Sequence, residues 1–156
     1  MAARIIIGTI IRGEGNAGKN NSVIIPLLVE HFPEIANSAQ FGTINVRLDQ
    51  ALDKSRADVW TRRIIWQPVQ RTERRIEAFG FIKVKFACPP IGPKYDCWIM
   101  LPEGSRITYR DDEVEIIADC FIDGVGYGAH CAIDIDHSPP IAAPPSFGLL
   151  FGMSFR

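Results

Sequence analysis

Short apolar segments separated by turns constrain the fold of this chain more than any other feature. Four of them lie in its second half, over residues 79–88, 96–101, 113–119 and 129–135. Each has the length of a strand and is short for a helix. Proline and glycine are frequent in the turns between them, as at residues 89–93, and the chain holds 13 glycines and 11 prolines. This pattern predicts a mainly β fold.

The first part of the chain adds two strands and one helix to this prediction. The strands are expected over residues 4–12 and 42–48, and the helix over 23–36, with Ser22 as its N-cap and Pro26 in its first turn. The apolar face of the helix would consist of Ile24, Leu27, Leu28 and Phe32. Strands at this spacing with one early helix indicate a compact, closed or nearly closed β barrel of six or more strands.

The length of 156 residues fits one domain. We assign residues 1–137 to a single barrel domain and residues 138–156 to a proline-rich, apolar tail. The tail is expected either to dock on the barrel or to contact another subunit, so an oligomer is possible through it. The net charge of −1 excludes a strong overall field directed at nucleic acid or an acidic surface.

The chain contains no apolar run long enough to span a membrane as a helix. Its apolar start, residues 5–11, is β-branched and is interpreted as a strand rather than a signal peptide. We therefore expect a cytoplasmic protein without membrane partners. The cysteines are scattered, with no Cys-x-x-Cys motif, and are interpreted as buried thiols: Cys88, Cys97, Cys120 and Cys131.

A glycine-rich loop after the first strand is the first candidate site. It consists of Gly13, Glu14, Gly15, Asn16, Ala17, Gly18 and Lys19. Successive backbone N–H groups in such a turn can bind an anion, glycine lets a phosphate approach closely, and lysine adds a positive charge. The loop is neither a Walker A motif nor a full dinucleotide fingerprint. A plain surface loop therefore remains the alternative.

A threonine and an asparagine on the second strand form the second candidate. Thr43 and Asn45 are two residues apart, so they point to one face, while Ile44 and Val46 point to the core. Two neutral oxygen donors can hold Mg²⁺ if nucleotide phosphates supply the negative charge. The alternative is an ordinary polar pair on a solvated strand face.

Two glutamates over residues 113–119 form the third candidate. Alternation places Glu113 and Glu115 on the face opposite Val114 and Ile116. A carboxylate here can accept hydrogen bonds from a hydroxyl or imide N–H of a ligand. The alternative is an edge strand with charged outer positions.

Taken together and in this order, the three segments give the chain a family resemblance. Residues 8–15 read Gly-Thr-Ile-Ile-Arg-Gly-Glu-Gly, and residues 42–49 read Gly-Thr-Ile-Asn-Val-Arg-Leu-Asp. Residues 115–118 read Glu-Ile-Ile-Ala and are preceded by Thr108-Tyr109. With these blocks the chain resembles the archaeal CTP-dependent riboflavin kinase family over roughly residues 4–119.

The resemblance implies a cradle-loop β barrel that transfers the terminal phosphoryl group of CTP to the 5′-hydroxyl of riboflavin, giving FMN. It places the nucleotide phosphates on the glycine loop, Mg²⁺ on Thr43 and Asn45, and the flavin on Thr108 and Glu115. It implies no catalytic base, and the catalytic residue stays unassigned. The expected partners are a nucleotide and riboflavin or FMN rather than nucleic acid.

The chain departs from this family after residue 118. The family continues with a proline and a Leu-Arg pair that help to hold the nucleotide, whereas residues 119–123 here read Asp-Cys-Phe-Ile-Asp. A non-catalytic descendant of the barrel, binding a nucleotide or a flavin-like small molecule, is therefore the alternative to the kinase.

Two further interpretations stay open. Residues 54–75 hold seven basic and two acidic residues together with Trp60 and Trp66, a combination that a nucleic-acid surface would use. Equally, Trp60, Ile64, Ile65 and Trp66 would pack inward and leave the arginines solvated. His130, Cys131, Asp134, Asp136 and His137 are a weak metal candidate, because they lack zinc-finger spacing.

Overall fold

The computed structural model describes residues 4–12, 17–35, 43–53, 57–69, 72–103 and 111–135, with only the backbone described for residues 17–22. The strands are β1 (Arg4–Ile11), β2 (Thr43–Leu48), β3 (Val59–Trp60), β4 (Ile64–Trp66), β5 (Arg75–Glu77), β6 (Phe79–Ala87), β7 (Tyr95–Pro102), β8 (Glu113–Ala118) and β9 (His130–Ile135). The described helical elements are α1 (Ala17–Leu28) and a 3-10 turn, Pro33–Ile35.

Six strands close into an antiparallel barrel in the order β6-β7-β8-β2-β1-β9. Closure is made by β9, which pairs with β1 on one side and with β6 on the other, from Val84 opposite Ile135 to Ala87 opposite Ala132. A closed sheet leaves no free edge among these strands. The mainly β barrel with an early helix that the sequence predicted is confirmed, and its strands end within two residues of the predicted bounds.

Alternation along each strand fills the barrel with apolar side chains. The inward positions are registered across neighbouring strands: Val46 lies opposite Ile10 on one side and Val114 on the other, and Ile116 lies opposite Ile44 and Ile99. Val46, Ile99 and Ile116 are fully buried. This period of two is the reason that the sequence predicted these strands well.

Gly8 is an inward position where the barrel has no room for a side chain. A Cβ atom built there would lie 2.6 Å from Cγ1 of Val46 and 2.9 Å from the carbonyl oxygen of Arg47. Glycine at this position therefore lets β1 and β2 approach closely.

A second apolar layer covers part of the outer barrel surface. Ile24, Ile25 and Leu28 of α1, with Phe32 after it, pack against the outward side chains Phe81, Met100 and Ile117. The Phe32 ring stacks on Phe81 with centroids 4.7 Å apart and meets Trp98 edge-on at 4.7 Å. Burial of this kind holds the helix on strands β6 to β8.

The predicted bounds of the helix were wrong. It begins at Ala17, so Ser22 lies within it, and Pro26 lies in its last turn rather than its first. Gly18, Asn20 and Asn21 have weak helix propensity, which favoured a loop there. Burial of Ile24 and Ile25 nevertheless fixes the helix by tertiary packing. Leu27, expected on the buried face, is exposed.

The basic segment forms β3, β4 and β5, which the sequence did not predict. β3 pairs with β6, and β4 and β5 form a separate hairpin. Trp66 is buried and donates its indole N–H to Glu77 at 2.8 Å. Arg63 differs from the expectation that the arginines of this segment are solvated. Its guanidinium binds both carboxylate oxygens of Glu103, at 3.0 and 2.6 Å.

The cysteines are free and three of them are buried: Cys88, Cys97 and Cys131. Cys120 is half-buried. Burial raises the pKa of Cys97 and of Cys131 to about 12, so these thiols stay protonated at neutral pH. The interpretation as buried thiols is confirmed for these three.

The tail, residues 138–156, lies outside the described residues. Within the described part of the chain, no helix is long and apolar enough to cross a membrane.

Candidate functional site

The barrel gathers the described parts of the three sequence blocks at one of its ends. β1 and β8 finish there, at Ile11 and Ala118, and β2 begins there, at Thr43. We call this the loop end of the barrel. Because β2 pairs with β1 on one side and β8 on the other, the three segments are adjacent in space although they are distant in sequence.

The register aligns specific residues of the three segments in one row. Ile11 lies opposite Asn45, and Asn45 lies opposite Glu115. Directly opposite residues have Cβ atoms about 4.5 to 5.5 Å apart and project to the same face. Asn45 and Glu115 therefore form a neighbouring amide and carboxylate pair on the outer surface, both half-buried.

Thr43 lies one step closer to the loop end on the same face. It pairs with Ile117, whose side chain belongs to the layer beneath α1. The Thr43 hydroxyl oxygen is buried and has no hydrogen-bond partner among the described residues. A buried hydroxyl normally has a partner, because leaving it unpaired costs roughly 1–3 kcal/mol. An unpaired buried oxygen of this kind fits a position that binds a ligand.

The orientation predicted for the two glutamates is confirmed. Glu113 and Glu115 face outward while Val114 and Ile116 are buried. The edge-strand alternative is wrong, because β8 lies between β7 and β2. Glu113 binds Arg47 at 2.8 Å, and Glu115 lies opposite Asn45.

The remaining predicted site residues are described only in part. Gly13, Glu14, Gly15, Asn16 and Thr108 lie outside the described residues. Ala17, Gly18 and Lys19 form the first turn of α1 rather than part of an irregular loop. The chain therefore passes from the end of β1 at Ile11 to the helix start at Ala17 within six residues.

Two aromatic side chains at the loop end were missed by the sequence analysis. Phe121 and Tyr127 lie on the β8–β9 connection and are 75% and 68% exposed. The Arg12 guanidinium lies over the Tyr127 ring, 4.9 Å from its centroid. The Gly-Tyr-Gly sequence at residues 126–128 signals a turn with an exposed ring, but nothing local to it indicates Arg12 as a partner.

The alternative metal site on β9 is not supported. Cys131 points into the barrel core, whereas His130 and Asp134 face outward, and Asp134 binds Lys94 at 3.2 Å. Among the residues that the structure describes, no group of three histidine, cysteine, aspartate or glutamate side chains is placed to hold a metal ion. Asp136 and His137 lie outside those residues.

The two tryptophans of the 54–75 segment pack inward, whereas its described arginines other than Arg63 are exposed. Trp66 is buried, Trp60 and Ile64 are half-buried, and only Ile65 is exposed among the four expected to pack inward. Arg62 donates to the Nε2 atom of His31 at 2.9 Å. Lys54, Arg56 and Arg71 lie outside the described residues.

Comparisons with models of known protein families and with curated proteins found no match to this chain. The geometry of the loop end therefore carries the functional argument.

Proposed function

We propose that this protein is a nucleotide-dependent kinase that transfers the terminal phosphoryl group of CTP to the 5′-hydroxyl of riboflavin, giving FMN. One observation carries the proposal: β1, β2 and β8, which hold the described parts of the three blocks of the family resemblance, lie side by side, with Ile11, Asn45 and Glu115 in one register row. Phosphoryl transfer requires mainly positioning and charge neutralisation, which such a convergent site can provide.

The phosphates of the nucleotide are assigned to the chain between β1 and α1. The N-terminal turn of α1, a helix of 12 residues, has no acidic residue that would repel an anion. Free N–H groups and the positive end of the helix dipole favour phosphate at such a position. Lys19, a basic residue, belongs to the same turn.

Thr43 and Asn45 fit the predicted Mg²⁺ position. The orphaned hydroxyl oxygen of Thr43 and the amide of Asn45 share one face, and both supply the oxygen ligands that Mg²⁺ prefers. Two neutral ligands suit a metal whose charge is balanced by phosphates. When bound, Mg²⁺ would neutralise negative charge on the transferred group.

Glu115 is assigned to the acceptor. Its position opposite Asn45 places a carboxylate next to the proposed metal and phosphate position, where it can accept a hydrogen bond from a flavin hydroxyl or imide. In the transfer, the bond from the terminal phosphorus to its bridging oxygen breaks, and a bond to the 5′-oxygen of riboflavin forms. CDP leaves, and the hydroxyl proton is released to solvent.

A non-catalytic relative that only binds the nucleotide or flavin is the second candidate. It is favoured by the composition of the β8–β9 connection, residues 119–129, which holds two aspartates and no basic residue. The family that the chain resembles has an arginine in this segment. Without that arginine, the negative charge of the transferred group is neutralised less completely.

Incubation with riboflavin, Mg²⁺ and each of the four common nucleoside triphosphates distinguishes the candidates. Chromatographic separation of FMN from riboflavin is the readout. FMN formation with CTP supports the kinase. Saturable nucleotide or riboflavin binding without FMN supports the non-catalytic relative. Absence of both FMN and binding contradicts both candidates.

A further inference from the structure

The β8–β9 connection has one buried anchor and presents two rings to solvent. Ile122 is 5% exposed and packs into the barrel core, which fixes the connection across the loop end. Tyr127 lies in the turn that follows, with most of its surface accessible.

The Tyr127 turn is attached to the end of β1. The Gly128 N–H donates to the carbonyl of Ile10 at 2.8 Å, and the Ile10 N–H donates to the carbonyl of Ala129 at 2.9 Å. Gly128 has a φ of +85°, a conformation that L side chains rarely adopt. The turn that carries Tyr127 is therefore fixed to Ile10, which lies two residues before Arg12. Tyr127 is not part of an unattached loop.

Arg12 lies over the Tyr127 ring, and 68% of the surface of Tyr127 stays exposed. The guanidinium lies 4.9 Å from the ring centroid, within the range of a cation–π interaction. A Cβ atom added at Gly126 or at Gly128 would meet nothing within 4 Å. The two residues that flank Tyr127 in the sequence therefore border open space. An exposed, oriented ring with an adjacent positive charge is a platform for a planar, anionic ligand.

We infer that Tyr127 is the platform on which the nucleobase stacks, a role that rests on the proposed function. The order of these strands around the barrel is β9, β1, β2, β8. Tyr127 lies on the β9 side of β1, Thr43 and Asn45 lie on β2, and Glu115 lies on β8. Two strand spacings, about 10 Å, separate β9 from β2, which a nucleoside triphosphate can span.

This order also separates donor from acceptor. The base lies on one side of the proposed metal position and the flavin beside Glu115 on the other, so the terminal phosphate is between them. Arg12, next to the chain assigned to the phosphates, orients the ring and adds the positive charge that the β8–β9 connection lacks. In this chain, stacking of the base on Tyr127 would thus replace the contact that the Leu-Arg pair makes with the nucleotide in the family that the chain resembles.

The test compares CTP with inorganic tripolyphosphate, which has no base, by calorimetry in the presence of Mg²⁺. Tyr127→Ala should weaken CTP binding by about 5- to 150-fold, which corresponds to the roughly 1–3 kcal/mol that stacking of one base contributes. Binding of tripolyphosphate should not change. Tyr127→Phe keeps the ring and should bind CTP as the parent does. Ile91→Ala removes a 96% exposed side chain from the same end of the barrel and serves as the control.

Three outcomes would overturn the inference. In the first, Tyr127→Ala leaves CTP affinity unchanged. In the second, Tyr127→Ala weakens the binding of CTP and of tripolyphosphate equally. In the third, Tyr127→Phe weakens CTP binding as much as Tyr127→Ala does. If the parent protein binds tripolyphosphate with Mg²⁺ in any of these cases, the phosphate site stands and only the base platform is wrong. If the parent binds neither ligand, the proposed function fails as well.

Discussion

Asn45 on β2 lies directly opposite Glu115 on β8, so an amide and a carboxylate share one position on the outer face of the barrel. Neither residue is near the other in sequence, and each is joined to its own block of the family resemblance. The register thus brings the proposed metal ligand next to the proposed flavin contact. The role of each can be tested separately.

Replacing Glu115 by glutamine is expected to weaken riboflavin binding selectively. A hydrogen bond to a charged group contributes about 1.5–3 kcal/mol, so the Kd for riboflavin should rise about tenfold or more. The Kd for CTP should stay within about twofold of the parent value. Quenching of riboflavin fluorescence measures the first and calorimetry the second.

Glu113→Gln is the matched control for this experiment. Glu113 lies two residues away on the same face but binds Arg47 instead of lying beside Asn45. Equal loss of riboflavin binding in both variants would show that the effect is general to this surface, and the assignment of Glu115 would be wrong.

Gly8→Ala is expected to destabilise the barrel. The added Cβ would lie within 3 Å of both Val46 and the Arg47 backbone, so strands β1 and β2 would have to move apart. Overpacking of this kind costs about 1–3 kcal/mol in the free energy of unfolding, which urea denaturation measures. Gly126→Ala, where a Cβ meets no atom within 4 Å, should change stability much less. Equal stability of the parent and the Gly8 variant would contradict the tight packing.

The ion pair of Arg63 and Glu103 is expected to contribute to folding. The Arg63 side chain is 4% exposed, and Glu103 also accepts the Ala78 N–H at 3.1 Å. Arg63→Ala leaves the carboxylate without its cation and should cost about 3 kcal/mol. The exposed pair of Arg47 and Glu113 is the comparison, and Arg47→Ala should cost about 1 kcal/mol or less. Similar losses in the two variants would show that burial does not distinguish the pairs.

The thiols are expected to differ in reactivity. Burial raises the pKa of Cys97 and Cys131 to about 12, so at pH 8 only about one such thiol in ten thousand is ionised. Burial also raises the pKa of Cys88. A chromogenic disulfide reagent at pH 8 should therefore modify Cys120 first in the native protein and all four cysteines after unfolding. Rapid modification of several thiols in the native protein would contradict the buried positions.

The sequence predicted the barrel strands because their inward residues repeat with a period of two, as in Ile44, Val46 and Leu48. It failed for the hairpin of β4 and β5, whose short strands depend on distant contacts such as Arg63 with Glu103. It also misplaced the start of α1, since polar residues precede the part of the helix that packs on the barrel. Local pattern cannot reveal an element that tertiary contacts stabilise.

For the candidate site, the sequence predicted which face each side chain occupies but not which residues lie opposite each other. Alternation correctly placed Thr43 with Asn45 and Glu113 with Glu115 on outward faces. It could not show that Asn45 and Glu115 are opposite each other, because register depends on the closed sheet. The contact of Arg12 with Tyr127 was missed for the same reason, since it joins two ends of the chain through β1 and the β8–β9 connection.

The most direct test of the account is Mg²⁺-dependent binding of CTP to the double variant Thr43→Ala with Asn45→Ala. Calorimetry with Mg²⁺ and with excess chelator should show metal-dependent binding in the parent and none in the double variant. Lys85→Ala, on the opposite side of the barrel in an exposed pair with Asp96, controls for general surface changes. If the double variant binds CTP as tightly as the parent in the presence of Mg²⁺, Thr43 and Asn45 do not hold the metal and the central claim is contradicted.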